Sequence, residues 1–227
     1  MADLIITIDG PAASGKSTAA RLLARKLDAS FLDTGAMYRA VTLAAMRVGI
    51  DLRDERQLLD IIQKCEFQFS VSAGKMTVHI DNANVTEEIR SPEVTANAKY
   101  IAAVPRVRDE LVKMQRQFAA GRHKIVTEGR DQGTVVFDDA NIKFYLTADP
   151  IERSRRRQAE LQTKGKSESL EQIQKAIEQR DKSDQDREVG PLKPAEDAIL
   201  VDTTNMSIEQ VVERLACHVK EKCSKKT

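Results

Sequence analysis

The sequence predicts an α/β protein in which a mostly parallel sheet is covered by helices on both faces. Three observations support this fold class. Short apolar runs of strand length alternate with longer segments of helical period. The first of these runs leads directly into a glycine-bounded loop and then into a helix. One interval instead alternates apolar and polar residues around a glycine turn, which indicates a small antiparallel insert.

The predicted strands are short and apolar, and they lie at Leu4–Asp9, Ser30–Asp33, 124–128, 142–148 and 198–202. Helical periods fill most of the intervals, notably at Thr34–Val48, 105–119, 150–162, 170–187 and 207–222. Apolar strands separated by helices are typical of a parallel sheet that is buried on both faces. The hairpin of the insert is predicted at 67–71 and 76–80, with a third short strand at 84–86.

Composition indicates an ordinary globular protein of 227 residues, and without repeats or low-complexity linkers we expect one domain, 1–227. The 36 basic and 35 acidic residues give a net charge of +1, which argues against a protein that coats nucleic acid or a membrane surface. Cys65, Cys217 and Cys223 form no C-x-x-C pair, which favours a reducing compartment. Without a signal pattern or a bilayer-long apolar run, we expect a cytoplasmic protein with no membrane partner.

The segment GPAASGKS at 10–17 matches the phosphate-loop pattern G-x-x-x-x-G-K-[ST] between a strand and a helix. Glycines at both ends let such a loop turn its backbone N–H groups toward a polyphosphate. The following helix directs the positive end of its dipole at the same anion. We therefore expect a bound nucleoside triphosphate, with Lys16 at the β/γ-phosphates and the Ser17 hydroxyl on Mg²⁺. The predicted nucleotide-binding residues are Gly10, Pro11, Ala12, Ala13, Ser14, Gly15, Lys16, Ser17 and Thr18.

Charged residues cluster where the predicted strands end. Carboxylates end or directly follow all five strands, at Asp9, Asp33, Glu128, Asp149 and Asp202. Because ligands of open parallel sheets bind beyond the carboxyl ends of the strands, these groups are expected beside the triphosphate. Arg130 follows one strand end directly and Arg39 lies one helical turn after another, so we expect the pair to bind an anion.

Two predicted helices carry charges in unusual places. In the helix at 170–187, the trio Arg180, Asp184 and Arg187 continues an apolar stripe, so these charges need partners in the protein or on a ligand. The simpler alternative is an intrahelical pair between Arg180 and Asp184. In the helix at 150–162, three arginines share one side, which predicts a lid that closes over ATP, the alternative being a solvated basic helix. These arginines are Arg153, Arg156 and Arg157.

The predicted phosphate loop, anion-binding arginines and lid together favour phosphoryl transfer, a reaction that depends on positioning and charge stabilisation. A second anion site implies that the acceptor carries a phosphate, and a phosphate needs no general base. This agrees with the lack of an obvious catalytic histidine or nucleophilic dyad. The chain also lacks the N-K-x-D motif by which GTPases read guanine.

Several motifs together closely resemble those of bacterial cytidylate kinases: DGPA at 9–12, SGKST at 14–18, LDTGAMYR at 32–39, PRVR at 105–108, GRDQGTVV at 129–136, PL at 191–192 and DA at 197–198. The resemblance spans nearly the whole chain. It implies transfer of the ATP γ-phosphate to CMP and dCMP with Mg²⁺, in pyrimidine nucleotide metabolism. It also implies the three-layer fold of P-loop nucleoside monophosphate kinases, with a five-stranded parallel core. An acceptor-binding insert at about 60–105 and a mobile lid at about 150–167 complete the implied fold.

The resemblance also implies roles for individual residues. In the acceptor site, Arg39 and Arg130 would grip the phosphate, Arg180 and Asp184 the ribose, and Arg108 and Asp131 the base, beside Thr34 and Tyr38. The implied catalytic residues are Lys16, Arg130, Arg153, Arg157 and Arg187, of which Arg153 and Arg157 belong to the lid. Cytosine offers an amino donor to a carboxylate and two acceptors to a guanidinium, whereas uracil reverses part of this pattern.

The chain departs from the family pattern at three positions. Lys99 stands where many relatives have a serine that contacts the base, which leaves open a kinase of the same fold for UMP or another phosphorylated metabolite. Glu128 replaces the usual aspartate and Gln132 a usual apolar residue. Glu128 could help to hold metal-bound water or could be a structural carboxylate, and Asp33 could also help to hold Mg²⁺. Ser17 is therefore the only metal ligand that we predict from the sequence.

Two functions outside this kinase class also stay open. One is a non-catalytic ATP-binding module, and the other is a simple ATPase that needs no acceptor. For the kinase itself we expect a monomer with small-molecule nucleotide substrates and no nucleic-acid partner.

Overall fold

The computed structural model describes residues 2–72, 74–163 and 165–224. Its main sheet has five parallel strands, numbered along the chain as β1 (Leu4–Asp9), β2 (Ser30–Asp33), β6 (Lys124–Gly129), β7 (Ile142–Thr147) and β8 (Ile199–Asp202). Their spatial order is β2-β6-β1-β7-β8. The predicted five-stranded parallel core is confirmed. Because β1 lies in the centre, the loop that follows it leaves from the middle of the carboxyl edge.

Helices cover both faces of this sheet because its side chains point alternately to each face. Ile6 packs into a core with the helices of one face, and its neighbour Ile5 packs into the core of the other. The helices are α1 (Lys16–Leu27) and α8 (Ile208–Ser224) on the first face, and α2 (Thr34–Val48) and α5 (Pro105–Ala120) on the second. The protein therefore has the three layers that the sequence predicts.

The small antiparallel sheet consists of β3 (Phe67–Ser72), β4 (Lys75–Ile80) and β5 (Ala83–Asn84). The hairpin is confirmed, while the third strand begins one residue earlier than predicted and is only two residues long. Buried residues of β4 join the core that contains α2, so the insert packs directly on the main domain. Helices α3 (Glu55–Lys64) and α4 (Pro92–Ala102), with a short 3-10 helix at Glu88–Arg90, connect the two sheets.

Helices α6 (Pro150–Thr163) and α7 (Leu170–Gln185) form a pair beside the first loop, and they share a small core with Ala12. Asp149 caps the N-terminus of α6, because its carboxylate accepts hydrogen bonds from two backbone N–H groups of the first turn. The predicted helix at 170–187 is too long by two residues. The chain turns back after α7, and the carbonyl of Asp184 accepts from the Leu192 N–H at 2.8 Å instead of from a next helical turn.

No helix in the described part of the chain combines the length and apolar character needed to span a bilayer. The feature of the fold that positions a site is the carboxyl edge of the main sheet, with α1, α2 and the α6–α7 pair around it.

The core packing makes a prediction that compares two positions of the main sheet. We expect Ile6→Ala to lower the free energy of unfolding by about 3 kcal/mol, because Ile6 is fully buried in the central strand. Leu200→Ala is the matched control, since Leu200 is 62% exposed on the edge strand β8. Its effect should stay within about 0.5 kcal/mol. Denaturant unfolding measures both, and equal losses would contradict the assigned packing.

Candidate active site

The glycine-bounded loop leaves β1 in a conformation that requires its first glycine. Gly10 has φ 152°, and a Cβ there would lie 2.1 Å from the carbonyl oxygen of Leu146 on β7. The loop then enters α1 at Lys16. The nine predicted nucleotide-binding residues therefore form one continuous curve around the N-terminus of a helix, where anions are stabilised.

Lys16 lies within this curve with its ammonium group donating to the carbonyl oxygen of Pro11 at 3.0 Å. The side chain is buried, and burial lowers the pKa of Lys16 to about 7, an effect that the charge of Arg130 reinforces and Glu128 opposes. A bound polyanion would strongly stabilise the charged form of this buried lysine.

Ser17 and Glu128 form a pair of oxygen ligands beside the lysine. The Ser17 hydroxyl donates to a carboxylate oxygen of Glu128 at 2.8 Å. Burial and the neighbouring charge of Asp33 raise the pKa of Glu128. A hydroxyl and a carboxylate are hard oxygen ligands and fit Mg²⁺. No group of three or more His, Cys, Asp or Glu side chains suited to a metal occurs among residues 2–72, 74–163 and 165–224.

Asp33 anchors two arginines at the end of β2. Its carboxylate accepts from Arg39 at 3.3 Å and from Arg90 at 3.0 Å, while its other oxygen caps α2. Burial alone would raise the pKa of Asp33, but the two guanidinium groups lower it. No sequence pattern pointed to Arg90, because it comes from the short 3-10 helix after the small antiparallel sheet, 57 residues away from Asp33. The predicted residue Thr34 lies here too, with its hydroxyl donating to the Glu128 carbonyl at 2.7 Å.

Asp184 of α7 joins two further predicted residues. Its carboxylate accepts from Arg130 at 2.6 Å and pairs with Arg187 through its other oxygen. The alternative of an intrahelical pair between Arg180 and Asp184 is therefore wrong. Burial lowers the pKa of Arg187 to about 10, and the positive charges of Arg108 and Arg130 act in the same direction.

Arg180 of α7 lies close enough to Arg130 and Arg39 for their positive charges to act on it. Within the described residues its side chain makes no hydrogen bond or ion pair, and it reaches solvent. Removal of water by the surrounding protein lowers the pKa of Arg180 to about 10, followed in size by the charges of Arg130 and Arg39. Such a side chain is placed to receive an anion.

Arg108 and Asp131 form a buried salt bridge at the inner end of the cluster. Gly190 covers the pair so closely that a Cβ there would lie 2.2 Å from both side chains. The Arg108 guanidinium also lies 5.6 Å from the ring centre of Tyr38, whose buried hydroxyl has no partner among the described residues. Two predicted base-reading residues are thus in contact, with an unsatisfied hydroxyl beside them.

The arginines of α6 do not share one free face, which corrects the prediction. Arg153 is buried and pairs with Asp181 of α7, because its guanidinium turns inward to the carbonyl oxygens of Ala12 and Ala148. Asp181 in turn accepts from the Ala12 N–H at 2.8 Å. Only Arg156 and Arg157 lie toward the outer cleft.

Asp181 is a further site residue that was not predicted from the sequence. Its spacing of four and eight residues from Ile177 and Ile173 places it on the buried stripe of α7, so the helical period held a signal for it.

A cavity of about 390 Å³ opens beside the loop, and its lining includes none of the arginines predicted to bind the acceptor. Its polar wall includes Arg156, whose guanidinium donates to the hydroxyl and carbonyl of Thr203 at 2.9 and 2.6 Å. Its apolar wall is formed by Met206, which precedes α8, and by Ile208 and Val211 in the first turn of α8. These apolar residues carry no motif, so the sequence offered no signal for them.

A family model described as cytidylate kinase matches residues 6–221. The cytidylate kinase of Limosilactobacillus reuteri (strain DSM 20016) is 48% identical over 219 residues, 96% of each chain. That of Desulfitobacterium hafniense (strain Y51) is also 48% identical, over 94% of this chain and 91% of its own. The crystal structure of an uncharacterized protein from Eubacterium ventriosum ATCC 27560 aligns with 96% of this chain and 98% of its own (TM-score 0.54, 11% identity), a likeness of fold alone. With a match over nearly the whole chain, this protein belongs to the cytidylate kinase family.

Proposed function

We propose that this protein transfers the γ-phosphoryl group of ATP, bound with Mg²⁺, to the phosphate of CMP and dCMP. The observation that carries the proposal is the meeting of two cationic sites at one edge of the sheet. One is the loop with buried Lys16, and the other is the arginine cluster around Asp184 and Asp33. The family and the names of the curated relatives support the same acceptor.

ATP would bind with its phosphates in the loop and its nucleoside in the adjacent cavity. The backbone N–H groups of the loop and the ammonium group of Lys16 suit the β- and γ-phosphates. The apolar wall near Met206 suits the face of a purine ring. On the polar side, the hydrogen bond to Thr203 holds the guanidinium of Arg156 where it can stack on the same ring.

Mg²⁺ would be held by the Ser17 hydroxyl and by Glu128, directly or through water. Their hydrogen bond places both oxygens beside the Lys16 end of the loop. When bound, the metal ion neutralises charge on the phosphates. Asp33 is already engaged by Arg39 and Arg90, which argues for Glu128 as the metal-side carboxylate.

The acceptor phosphate would exchange partners with the carboxylates of the cluster. In the structure Arg39 pairs with Asp33, and Arg130 pairs with Asp184, so both guanidinium groups are held near the edge of the sheet. A phosphate forms stronger bidentate contacts with arginine than a single carboxylate oxygen does. Once Arg130 turns to the phosphate, Asp184 becomes available to the ribose beside unpaired Arg180.

The transferring phosphoryl group would lie between the two sites, with Lys16 on one side and Arg187 on the other. Arg187 contributes a charge close to Arg130, and such charges accelerate phosphoryl transfer through electrostatic stabilisation. We assign Arg157 to the moving side of the lid, because its partner Glu160 is on the same exposed helix face. Arg153 instead fastens the lid helices to Ala12.

Arg108 and Asp131 would read cytosine between Tyr38 and the chain at Gly190. A carboxylate accepts from the cytosine amino group and a guanidinium donates to the ring acceptors. Lys99, the position that departs from the family, lies on α4 with its ammonium group 5.0 Å from the ring centre of Tyr100. Among the described residues this ammonium group makes no hydrogen bond or ion pair with Arg108 or Asp131, so the pair keeps the donors and acceptors that suit cytosine better than uracil.

We also propose that the protein acts as a monomer in the cytoplasm. All three cysteines are free thiols, which suits a reducing compartment. The large exposed apolar side chains are scattered over different parts of the described chain, at Val48, Ile151, Val189 and Leu200, and scattered single residues of this kind are normal on a monomer.

The proposed activity is tested by measuring ADP release with Mg-ATP and a panel of CMP, dCMP, UMP, AMP and GMP. We expect the highest kcat/KM with CMP and dCMP, and little ADP without an acceptor. A preference for UMP would establish UMP as the acceptor. Equal ADP release without any acceptor would identify an ATPase, and no release at all a non-catalytic nucleotide-binding module.

Base selection is tested by Asp131→Asn. The amide keeps one acceptor but adds a donor that suits the uracil carbonyl, so the CMP to UMP ratio of kcat/KM should fall at least about tenfold. The matched control is Asp138→Asn. Asp138 is exposed and lies seven residues after Asp131, and within the described part of the chain its carboxylate makes a single ion pair, with Arg116 at 3.7 Å. An unchanged ratio in Asp131→Asn would place base reading elsewhere.

ATP binding should be accompanied by proton uptake at Lys16. With a pKa of about 7 before the nucleotide binds, this lysine is mostly neutral at about pH 8, and a polyanion favours its charged form. We expect an uptake approaching one proton, measured by calorimetry in buffers of different ionisation enthalpy. Lys16→Met should abolish the uptake and lower turnover strongly. The same uptake in wild type and variant would remove Lys16 from the phosphate site.

A further inference from the structure

One buried carboxylate beside the cleft has no part in the nucleotide contacts proposed for this protein. Asp9 ends the central strand β1 and is 4% exposed. One of its oxygens accepts from the backbone N–H of Gln132 at 2.9 Å, and the other accepts from that of Gly133 at 2.8 Å. Both oxygens of the carboxylate are thus committed to two successive amides that lie on a distant part of the chain.

These two amides begin a single π-helical turn, Gln132–Val136, directly after Arg130 and Asp131. The carbonyl of Asp131 accepts from Val135 and Val136 on the far side of the turn. Turns of this kind are rare and occur frequently at functional sites. The backbone that carries the two acceptor-site side chains is therefore held at its C-terminal end by Asp9.

The side chain of Gln132 fixes the same point from two other elements. Its carbonyl oxygen accepts from the hydroxyl of Thr127 on β6 at 2.8 Å, and its amide donates to Gln115 on α5 at 3.1 Å. All of these groups are buried. The turn is thus attached to the central strand, a neighbouring strand and a covering helix.

From this geometry we propose that Asp9 is a positioning residue for the acceptor nucleotide, which it orients by fixing the backbone that follows Arg130 and Asp131. The inference rests on the proposed acceptor site and adds the residue that sets its geometry. An asparagine would keep one acceptor but turn its own N–H₂ toward the second amide donor. Because two donors repel, the turn would have to move, and the two acceptor-site side chains with it.

The protonation state of Asp9 gives a readout that a purely structural residue lacks. Burial raises the pKa of Asp9 to about 7, against the two backbone N–H groups that lower it. The charged groups facing it are Asp131, which raises the pKa, and Arg130, which lowers it; the phenol of Tyr145 on β7 also lies within its field. A protonated Asp9 presents one acceptor fewer to the turn, so acceptor binding should weaken as the pH falls through neutrality.

The test is the steady-state kinetics of Asp9→Asn. We expect KM for CMP to rise at least about tenfold while KM for ATP changes less than about threefold. In wild type, KM for the CMP dianion should rise as the pH falls from about 8 to about 6, and this dependence should be absent from the variant. The control is Thr7→Val on the same face of β1, whose buried hydroxyl has no partner among the described residues and lies against Gly133. It should leave KM for CMP unchanged.

Equal changes in both KM values, or an unchanged KM for CMP, would overturn the inference. If Asp9→Asn does not fold, Gln132→Met provides the second variant. It removes the bonds to Thr127 and Gln115 and should raise KM for CMP in the same direction by a smaller factor, and no rise would overturn the inference. Failure of the proposed function itself looks different, because wild-type enzyme would then phosphorylate neither CMP nor dCMP.

Discussion

The site depends on positively charged side chains that are buried close together at the carboxyl edge of the sheet. Burial lowers the pKa of Lys16, Arg180 and Arg187, and the positive charge of Arg130 adds to all three shifts. The folded chain tolerates this because carboxylates are interleaved with the cations, as Asp184 is between Arg130 and Arg187. Each arginine nevertheless remains better matched to a phosphate than to its carboxylate partner. The cleft is therefore held together by pairs that nucleotides can replace.

The same interleaving connects the site to the proposed lid. Asp181 contacts both Arg153 of α6 and the Ala12 N–H of the loop, so one buried ion pair joins α6, α7 and the phosphate loop. Removing one partner of such a pair leaves an uncompensated buried charge, which is strongly destabilising. A lid built in this way would move with its inner end fastened, and the motion would be concentrated in its outer residues near Arg157.

The features that could be predicted from the sequence are those that a local sequence pattern encodes. The loop at 10–17, the parallel strands and the hairpin each have a period or a motif within a dozen residues, and the structure confirms these elements. Partners could not be predicted in the same way. Arg153 resembled the two surface arginines beside it, because its partner Asp181 is 28 residues away on another element. Arg90, the hydrogen bonds of Asp9 and the apolar wall of the cavity beside the loop depend on tertiary contacts of the same kind, which no local period encodes.

Two buried groups of the cleft, Asp9 and Lys16, lower the stability of the folded protein at neutral pH, and their contributions change with pH in opposite directions. The pKa of Asp9 is raised to about 7, so its favourable contribution is complete below the usual carboxyl range and is lost as the pH rises to about 7. The pKa of Lys16 is lowered to about 7, so its contribution is complete in alkali and is lost as the pH falls to about 7. Near neutral pH the folded protein has therefore lost most of the stability that each of these two groups can contribute.

A bound triphosphate would restore the stability lost at Lys16 but not the stability lost at Asp9. It favours the ammonium form of Lys16 and so reverses the loss at the phosphate loop, because a polyanion stabilises the charge that burial opposes. Orienting the acceptor requires the ionised form of Asp9, because this form accepts hydrogen bonds from both backbone amides of the turn at Gln132–Val136. Binding of the donor should therefore restore stability that the protein lacks without nucleotide, while the cost of the ionised Asp9 remains as the condition for an oriented acceptor.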